Sequence, residues 1–132
     1  MSQITAVVIV THGNAGADML DAAQRFLHMD MPAVSTVGVA PEDDSGAVDN
    51  KITHAIANLG LNTCEDVLFL VDLVGSTPAR LCCRRCDGKA GHVVTGVNMP
   101  MLLKLATADR GRGPEALGGE LVATGTKSIH CE

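Results

Sequence analysis

Ile4-Thr5-Ala6-Val7-Val8-Ile9-Val10-Thr11-His12-Gly13 is the stretch on which the fold turns. An apolar run rich in β-branched residues reads as a buried strand, over about Ile4 to Val10. It stops at a titratable, nucleophilic imidazole, and a glycine follows at once. A second apolar run, Val67-Leu68-Phe69-Leu70-Val71, stops the same way at Asp72. A strand apolar on both faces belongs inside a parallel sheet covered by helices. In such sheets, ligands and chemistry sit at the carboxyl ends of the strands. One strand delivers an imidazole and another a carboxylate, and the two meet if the strands are neighbours.

Working outward, Met19, Leu20, Ala23, Phe26 and Leu27 recur at helical spacing and predict a helix over Ala15 to Leu27 with one apolar stripe. Val34 to Val39 reads as a second strand. Val48, Ile52, Ala55, Ile56 and Leu59 form the stripe of a second helix, with Gly60 as its stop. In Gly75-Ser76-Thr77-Pro78, Thr77 fits an N-cap and Pro78 the first helical position of a short third helix, about Pro78 to Cys86. Residues 87–91 read as a turn and Val93 to Val97 as the fourth strand. Asn98-Met99-Pro100 repeats the cap-then-proline device before a helix over Met101 to Ala108. A last helix covers about Glu115 to Thr124, and Thr126 to Cys131 has strand character in its second half. Strands alternating with helices give an α/β fold: three layers, a mostly parallel sheet with helices on both faces. Right-handed crossovers favour the flavodoxin-like order 2-1-3-4, which places the first and third strands side by side.

The 132 residues suffice for one domain with a real core, and no linker or repeat divides them. The net charge is −5, and with two Phe and neither Trp nor Tyr there is little to stack on bases. Nucleic acid and anionic membranes are therefore not the expected partners. Without a signal segment or an apolar run of about 20 residues, a cytoplasmic chain is expected. The five cysteines, Cys64, Cys82, Cys83, Cys86 and Cys131, are an odd number and do not suggest a disulfide framework. The Cys83-x-x-Cys86 pair has no second ligand pair for zinc and reads as helix residues facing a neighbour.

Neighbouring parallel strands lie about 4.8 Å apart, which suits a hydrogen bond from Asp72 to His12. The ring nitrogen facing the carboxylate then carries the proton, and the other keeps its lone pair. Such an imidazole takes an acyl group, a phosphoryl group or a metal. The surroundings favour phosphoryl: Gly13 opens the turn into the first helix, and Gly75-Ser76-Thr77 opens the third. Helix N-termini supply free amides and a positive dipole end, and hydroxyls add donors. Gly88-Lys89-Ala90-Gly91 lacks the spacing of a phosphate-binding P-loop, so a phosphorylated protein, not a nucleotide, is the expected donor.

Val8-Ile9-Val10-Thr11-His12-Gly13, Val67-Leu68-Phe69-Leu70-Val71-Asp72, Gly75-Ser76-Thr77-Pro78 and Gly96-Val97-Asn98-Met99-Pro100-Met101-Leu102 together resemble one family. It is the enzyme IIA component of the mannose family of the bacterial phosphoenolpyruvate:sugar phosphotransferase system, and the likeness spans essentially the whole chain. It implies that His12 accepts a phosphoryl group from phospho-HPr and passes it to an enzyme IIB partner, in sugar uptake or regulation. Asp72 matches the carboxylate partner of that histidine. Thr11, Gly13, Gly75, Ser76 and Thr77 match the phosphoryl-binding surroundings, and no cofactor or metal is needed. The family also implies a homodimer whose last, antiparallel strand is exchanged, which would give Thr126 to Cys131 a role. The chain would stand free, without a fused IIB segment, and be peripheral to a membrane sugar permease at most. Where the family often has Gly-Gly-Ser-Pro, this chain has Gly75-Ser76-Thr77-Pro78, which adds a Cβ at Ser76 where a glycine could take positive φ.

Other classes stay in view. A close variant is the phosphotransfer subunit of dihydroxyacetone kinase. A tetrapyrrole metal chelatase also ends its first strand in His-Gly but wants a second histidine at the active edge. A non-catalytic flavodoxin-like binding module is a third. His28, His54, His92 and His130 read as surface or strand-edge residues, Met99 and Met101 as wall packing, and Arg80, Arg84 and Arg85 as a solvated helix face.

Overall fold

The computed structural model describes residues 4–87 and 91–132. Its elements are β1 (Ala6–His12), α1 (Ala15–Leu27), β2 (Val34–Val39), α2 (Ser45–Asn58), β3 (Val67–Val71), α3 (Thr77–Arg85), β4 (Val93–Thr95), α4 (Met99–Leu105) and α5 (Pro114–Lys127). The four strands form one all-parallel sheet in the order β2-β1-β3-β4. β1 and β3 are neighbours, with Val10 opposite Val71.

The period of two decides the layers. Val8, Val10, Phe69 and Val71 pack with Val48, Ile52 and Ile56 of α2 and with Ala79 and Cys82 of α3. Val7, Ile9, Leu68 and Leu70 point the other way, onto Ala23 of α1, Leu102 and Leu105 of α4, and Leu117 and Leu121 of α5. All eight strand side chains are fully buried. Each contributes about 1.5–3 kcal/mol of transfer free energy.

Several boundaries differ from the sequence expectation. β1 begins and ends two residues later, because its pairing with β2 runs on to His12 opposite Val39. His12 is thus held by the sheet itself. Thr5 is instead clamped below the strand: its N–H donates to the Arg110 carbonyl (2.7 Å), and the Arg110 side chain donates back to the Thr5 carbonyl and to those of Pro32 and Ala33. β4 stops at Thr95, where Gly96 turns to φ +80°. α4 starts at Met99, capped by Asn98, whose side chain accepts the Met101 N–H. α5 continues to Lys127, so residues 128–132 are an exposed tail and not a strand within one chain. Phe26, expected on the α1 stripe, is 72% exposed. It falls on the flank of the face set by Gly16, Ala23 and Leu27. The turn expected at 87–91 falls largely on residues 88–90, outside the described residues.

Candidate active site

The strand ends bring His12 and Asp72 together. The Asp72 N–H donates to the Val10 carbonyl at 3.3 Å, which carries the β1–β3 pairing one step past the ladder. The Asp72 carboxylate then turns back over β1. Its Oδ2 accepts the His12 backbone N–H at 2.9 Å and lies 3.1 Å from His12 Nδ1. Its Oδ1 accepts the Leu73 N–H at 2.9 Å and lies 3.3 Å from Nδ1. A carboxylate only accepts, so Nδ1 carries a hydrogen, and in the neutral ring the lone pair is on Nε2. The His12 side chain is 49% exposed and that of Asp72 23%. Burial alone would push the Asp72 carboxyl up. The donations from the His12 backbone and ring and from Leu73 outweigh it and hold the group below its usual range.

The turn after His12 depends on tight backbone approach. Gly13 takes φ +60°, and its N–H donates to the Val39 carbonyl at 2.8 Å. A Cβ on Gly38 of β2 would sit 2.6 Å from the Gly13 carbonyl oxygen. Gly13 therefore shapes the turn, but its own amide is already committed. Thr11 is fully buried, and its hydroxyl accepts the Gly16 N–H at 2.7 Å. It supports the start of α1 from beneath the site and does not present its hydroxyl at the surface beside His12.

The loop after Asp72 leads into α3. The N-cap is Ser76 and not Thr77, as expected from sequence: the Ser76 hydroxyl accepts the Ala79 N–H at 3.3 Å and donates to the Leu73 carbonyl at 2.7 Å. Thr77 is the first helical residue and Pro78 the second. The positive φ of the loop falls on Gly75, at +73°, while Ser76 has φ −72°. The extra Cβ at Ser76 is therefore no conformational obstacle. Thr77 Oγ1 accepts from Arg80 Nη2 at 3.3 Å, and Arg80 Nη1 donates to the Gly75 carbonyl at 3.2 Å.

Two of the three arginines expected on a solvated face thus have structural partners. Arg80 spans the loop at the site. Arg85 is half-buried and ties α3 to α2 through the Asp49 side chain and carbonyl and the Thr53 hydroxyl. Arg80 stands three residues after Thr77, a helical neighbour spacing that carried the signal in the sequence. Arg85 and Arg110 bridge distant segments and left no such sign. Met101 is buried and Met99 packs beside it, as wall residues.

His28 and His92 lie away from His12. His28 ends α1 and His92 precedes β4, where its Nδ1 lies 3.0 Å from the Val67 carbonyl, so both stand at the amino end of the sheet. His54 is exposed on α2, and His130 lies in the tail. His28 and His92 thus stand at the edge opposite to the one a chelatase's second histidine would occupy. Cys82 and Cys86 are buried and Cys83 is exposed. Burial and the neighbouring cysteines push the Cys86 thiol up to about 12. The Cys83–Cys86 pair is thus split between surface and core.

Known proteins are similar to this chain in sequence and fold. The EIIA-man family, described as PTS system fructose IIA component, matches residues 6–118. The "PTS system mannose-specific EIIAB component" of Escherichia coli strain K12 is 33% identical over 119 residues. That match covers 89% of this chain but 35% of the relative, so the chain spans about a third of the curated protein's length. The mannose/sorbose specific IIA subunit of the phosphotransferase system from Enterococcus faecalis superposes with a TM-score of 0.84 at 19% identity, covering 98% of this chain and 96% of that one. The IIA protein associated with the fucose utilization operon of Streptococcus pneumoniae gives 0.78 at 22% identity, covering 99% and 96%. These two likenesses extend to the fold.

Proposed function

The chain belongs to the mannose family of phosphotransferase-system enzyme IIA components, and on that premise we propose that His12 is its phosphoryl carrier. The Nε2 lone pair attacks the phosphorus of phospho-HPr in line. The bond from phosphorus to the donor nitrogen breaks as the bond to Nε2 forms. The Nδ1 hydrogen stays with His12, and the Asp72 carboxylate offsets the positive charge that grows on the ring. The reverse geometry then serves an enzyme IIB acceptor. The hydroxyl and backbone N–H of Thr77 receive the phosphoryl oxygens, while Thr11, Gly13, Gly75 and Ser76 shape the pocket floor and loop. No cofactor takes part.

The observation that carries this reading is the Nδ1–Asp72 pair, which turns Nε2 outward at a half-exposed position and gives it the lone pair of the neutral ring. An open site suits a macromolecular donor. Among the described residues, no helix is long and apolar enough to cross a membrane. We place the chain in the cytoplasm as one domain, serving sugar uptake or its regulation. The exposed tail, with Ile129 77% exposed, is read as the segment exchanged in a homodimer.

The test is direct. The chain is mixed with phosphoenolpyruvate, enzyme I and HPr, and its intact mass and the acid lability of any adduct are measured. One acid-labile phosphoryl group that is absent from His12→Ala is the expected result. No added mass, or an adduct that survives the substitution, rules the reading out.

A further inference from the structure

We infer that Arg80 sets the Thr77 hydroxyl as the side-chain donor to the phosphoryl group, an inference that rests on His12 being the carrier. A hydroxyl has one hydrogen and two lone pairs. The hydrogen of Ser76 is given to the Leu73 carbonyl at 2.7 Å, and a lone pair takes the Ala79 N–H at 3.3 Å. Ser76 therefore has no hydrogen left for a ligand. Thr77 is in the opposite state. Arg80 Nη2 approaches its Oγ1 at 3.3 Å, and a guanidinium has no lone pair to accept with. The bond uses an oxygen lone pair and leaves the Thr77 hydrogen unspent among the described residues.

The same guanidinium holds the other end of the loop, through Nη1 to the Gly75 carbonyl at 3.2 Å. The planar fork of arginine suits this two-point bridge, and its charge is permanent. A positive charge on Oγ1 polarises the O–H toward an incoming anion. The bridge also engages the Gly75 carbonyl, a dipole that would otherwise be free to repel phosphoryl oxygens. Arg80 closes the first turn of α3, where the helix dipole disfavours a cation. An anion bound at that turn reverses the sign of this cost. From sequence, Arg80 reads as part of a solvated face and Thr77 as the N-cap. The hydrogen-bond directions separate Ser76 from Thr77.

Arg80 is thus a positioning residue, and its effect passes through Thr77. Single-turnover transfer from phospho-HPr to the full chain tests this in wild type, Arg80→Gln, Arg80→Lys, Thr77→Val, Thr77→Ser and the Arg80→Gln/Thr77→Val double variant. Thermal melts accompany each measurement. Loss of one oxyanion donor slows such steps by roughly a hundredfold, which is the expectation for Thr77→Val. Arg80→Gln is expected to slow transfer about tenfold with an unchanged melt, as a charge-assisted bond becomes a neutral one. Arg80→Lys, which keeps charge without the fork, falls between wild type and Arg80→Gln. Thr77→Ser restores the rate. The double variant is expected to be no slower than Thr77→Val alone, because the two act as a unit. Arg80→Gln within twofold of wild type overturns the inference. So does an Arg80→Gln effect of equal size in the Thr77→Val background. A wild-type chain that takes no phosphoryl group on His12 removes the carrier reading itself, a different outcome that these ratios do not mimic.

Discussion

Asp72→Asn probes the centre of the site with almost no change of shape. The carboxylate accepts the His12 N–H, the Leu73 N–H and the His12 ring hydrogen. An amide has one accepting oxygen. Placed at Oδ2, that oxygen keeps both His12 donors, and the NH2 then faces the Leu73 N–H. The reverse flip strands two donors and is disfavoured. One exposed amide is lost and two charged bonds become neutral, for about 1–2 kcal/mol of stability. The larger effect is on transfer. A ring cation 3.1 Å from a carboxylate gains about 5 kcal/mol at an effective dielectric constant near 20. With the carboxylate 23% exposed, solvent leaves about 2 kcal/mol of this, or about thirtyfold in rate. Single-turnover phosphorylation from phospho-HPr reads the rate, and urea melts read stability. The pH dependence has a definite sign. The folded Asp72 carboxyl lies below its ordinary value, so its contribution is present above the unfolded value and lost as pH falls through the folded one. The stability gap between wild type and Asp72→Asn is expected in full at neutral pH and to close below roughly pH 4. Transfer within threefold of wild type, or a gap that widens in acid, would refute the electrostatic account of Asp72.

Arg110→Ala is expected to cost about 2–4 kcal/mol in urea melts, since it leaves carbonyls of Thr5, Pro32 and Ala33 without their charged donor, far from His12. Gly38→Ala is expected to lower stability by about 1–3 kcal/mol and to slow phosphorylation as well, because its Cβ would sit 2.6 Å from the Gly13 carbonyl of the His12 turn; normal transfer would contradict the coupling of β2 to the site. Native-state alkylation followed by mass spectrometry should label exposed Cys83 quickly, and buried Cys82 and Cys86 only on unfolding. Truncation after Lys127 should shift the proposed dimer toward monomer in light scattering without loss of the melt, and an unchanged mass would set the exchanged tail aside.

The apolar runs ending at His12 and Asp72 were legible because a fully buried parallel strand needs no polar face. The α1, β2 and β3 limits followed from periodicity and turn residues. Other limits depended on distant contacts. β1 extends to His12 because β2 is there to pair with it. The N-cap fell to Ser76 because the Leu73 carbonyl and the Ala79 N–H both lay within its reach, a choice that adjacent Ser and Thr leave open. Thr11 is expected at the site from the resemblance, but which way its hydroxyl faces is not legible in the sequence. The alternation of the strand turned it inward, under the start of α1.

The sequence by itself determined that this is an α/β chain with a histidine and an aspartate at strand ends, since patterning and turn chemistry are local. Its four motifs together also pointed to the family. Only the tertiary structure decided that Asp72 holds both the backbone and the ring of His12, and that Arg110 knots the far end of the sheet. It alone shows that Ser76 gives its hydroxyl hydrogen to the Leu73 carbonyl while Arg80 donates to Thr77 Oγ1. The reason is that a hydrogen bond has a direction and an angle. Residue order carries neither until the sheet has set its strands side by side.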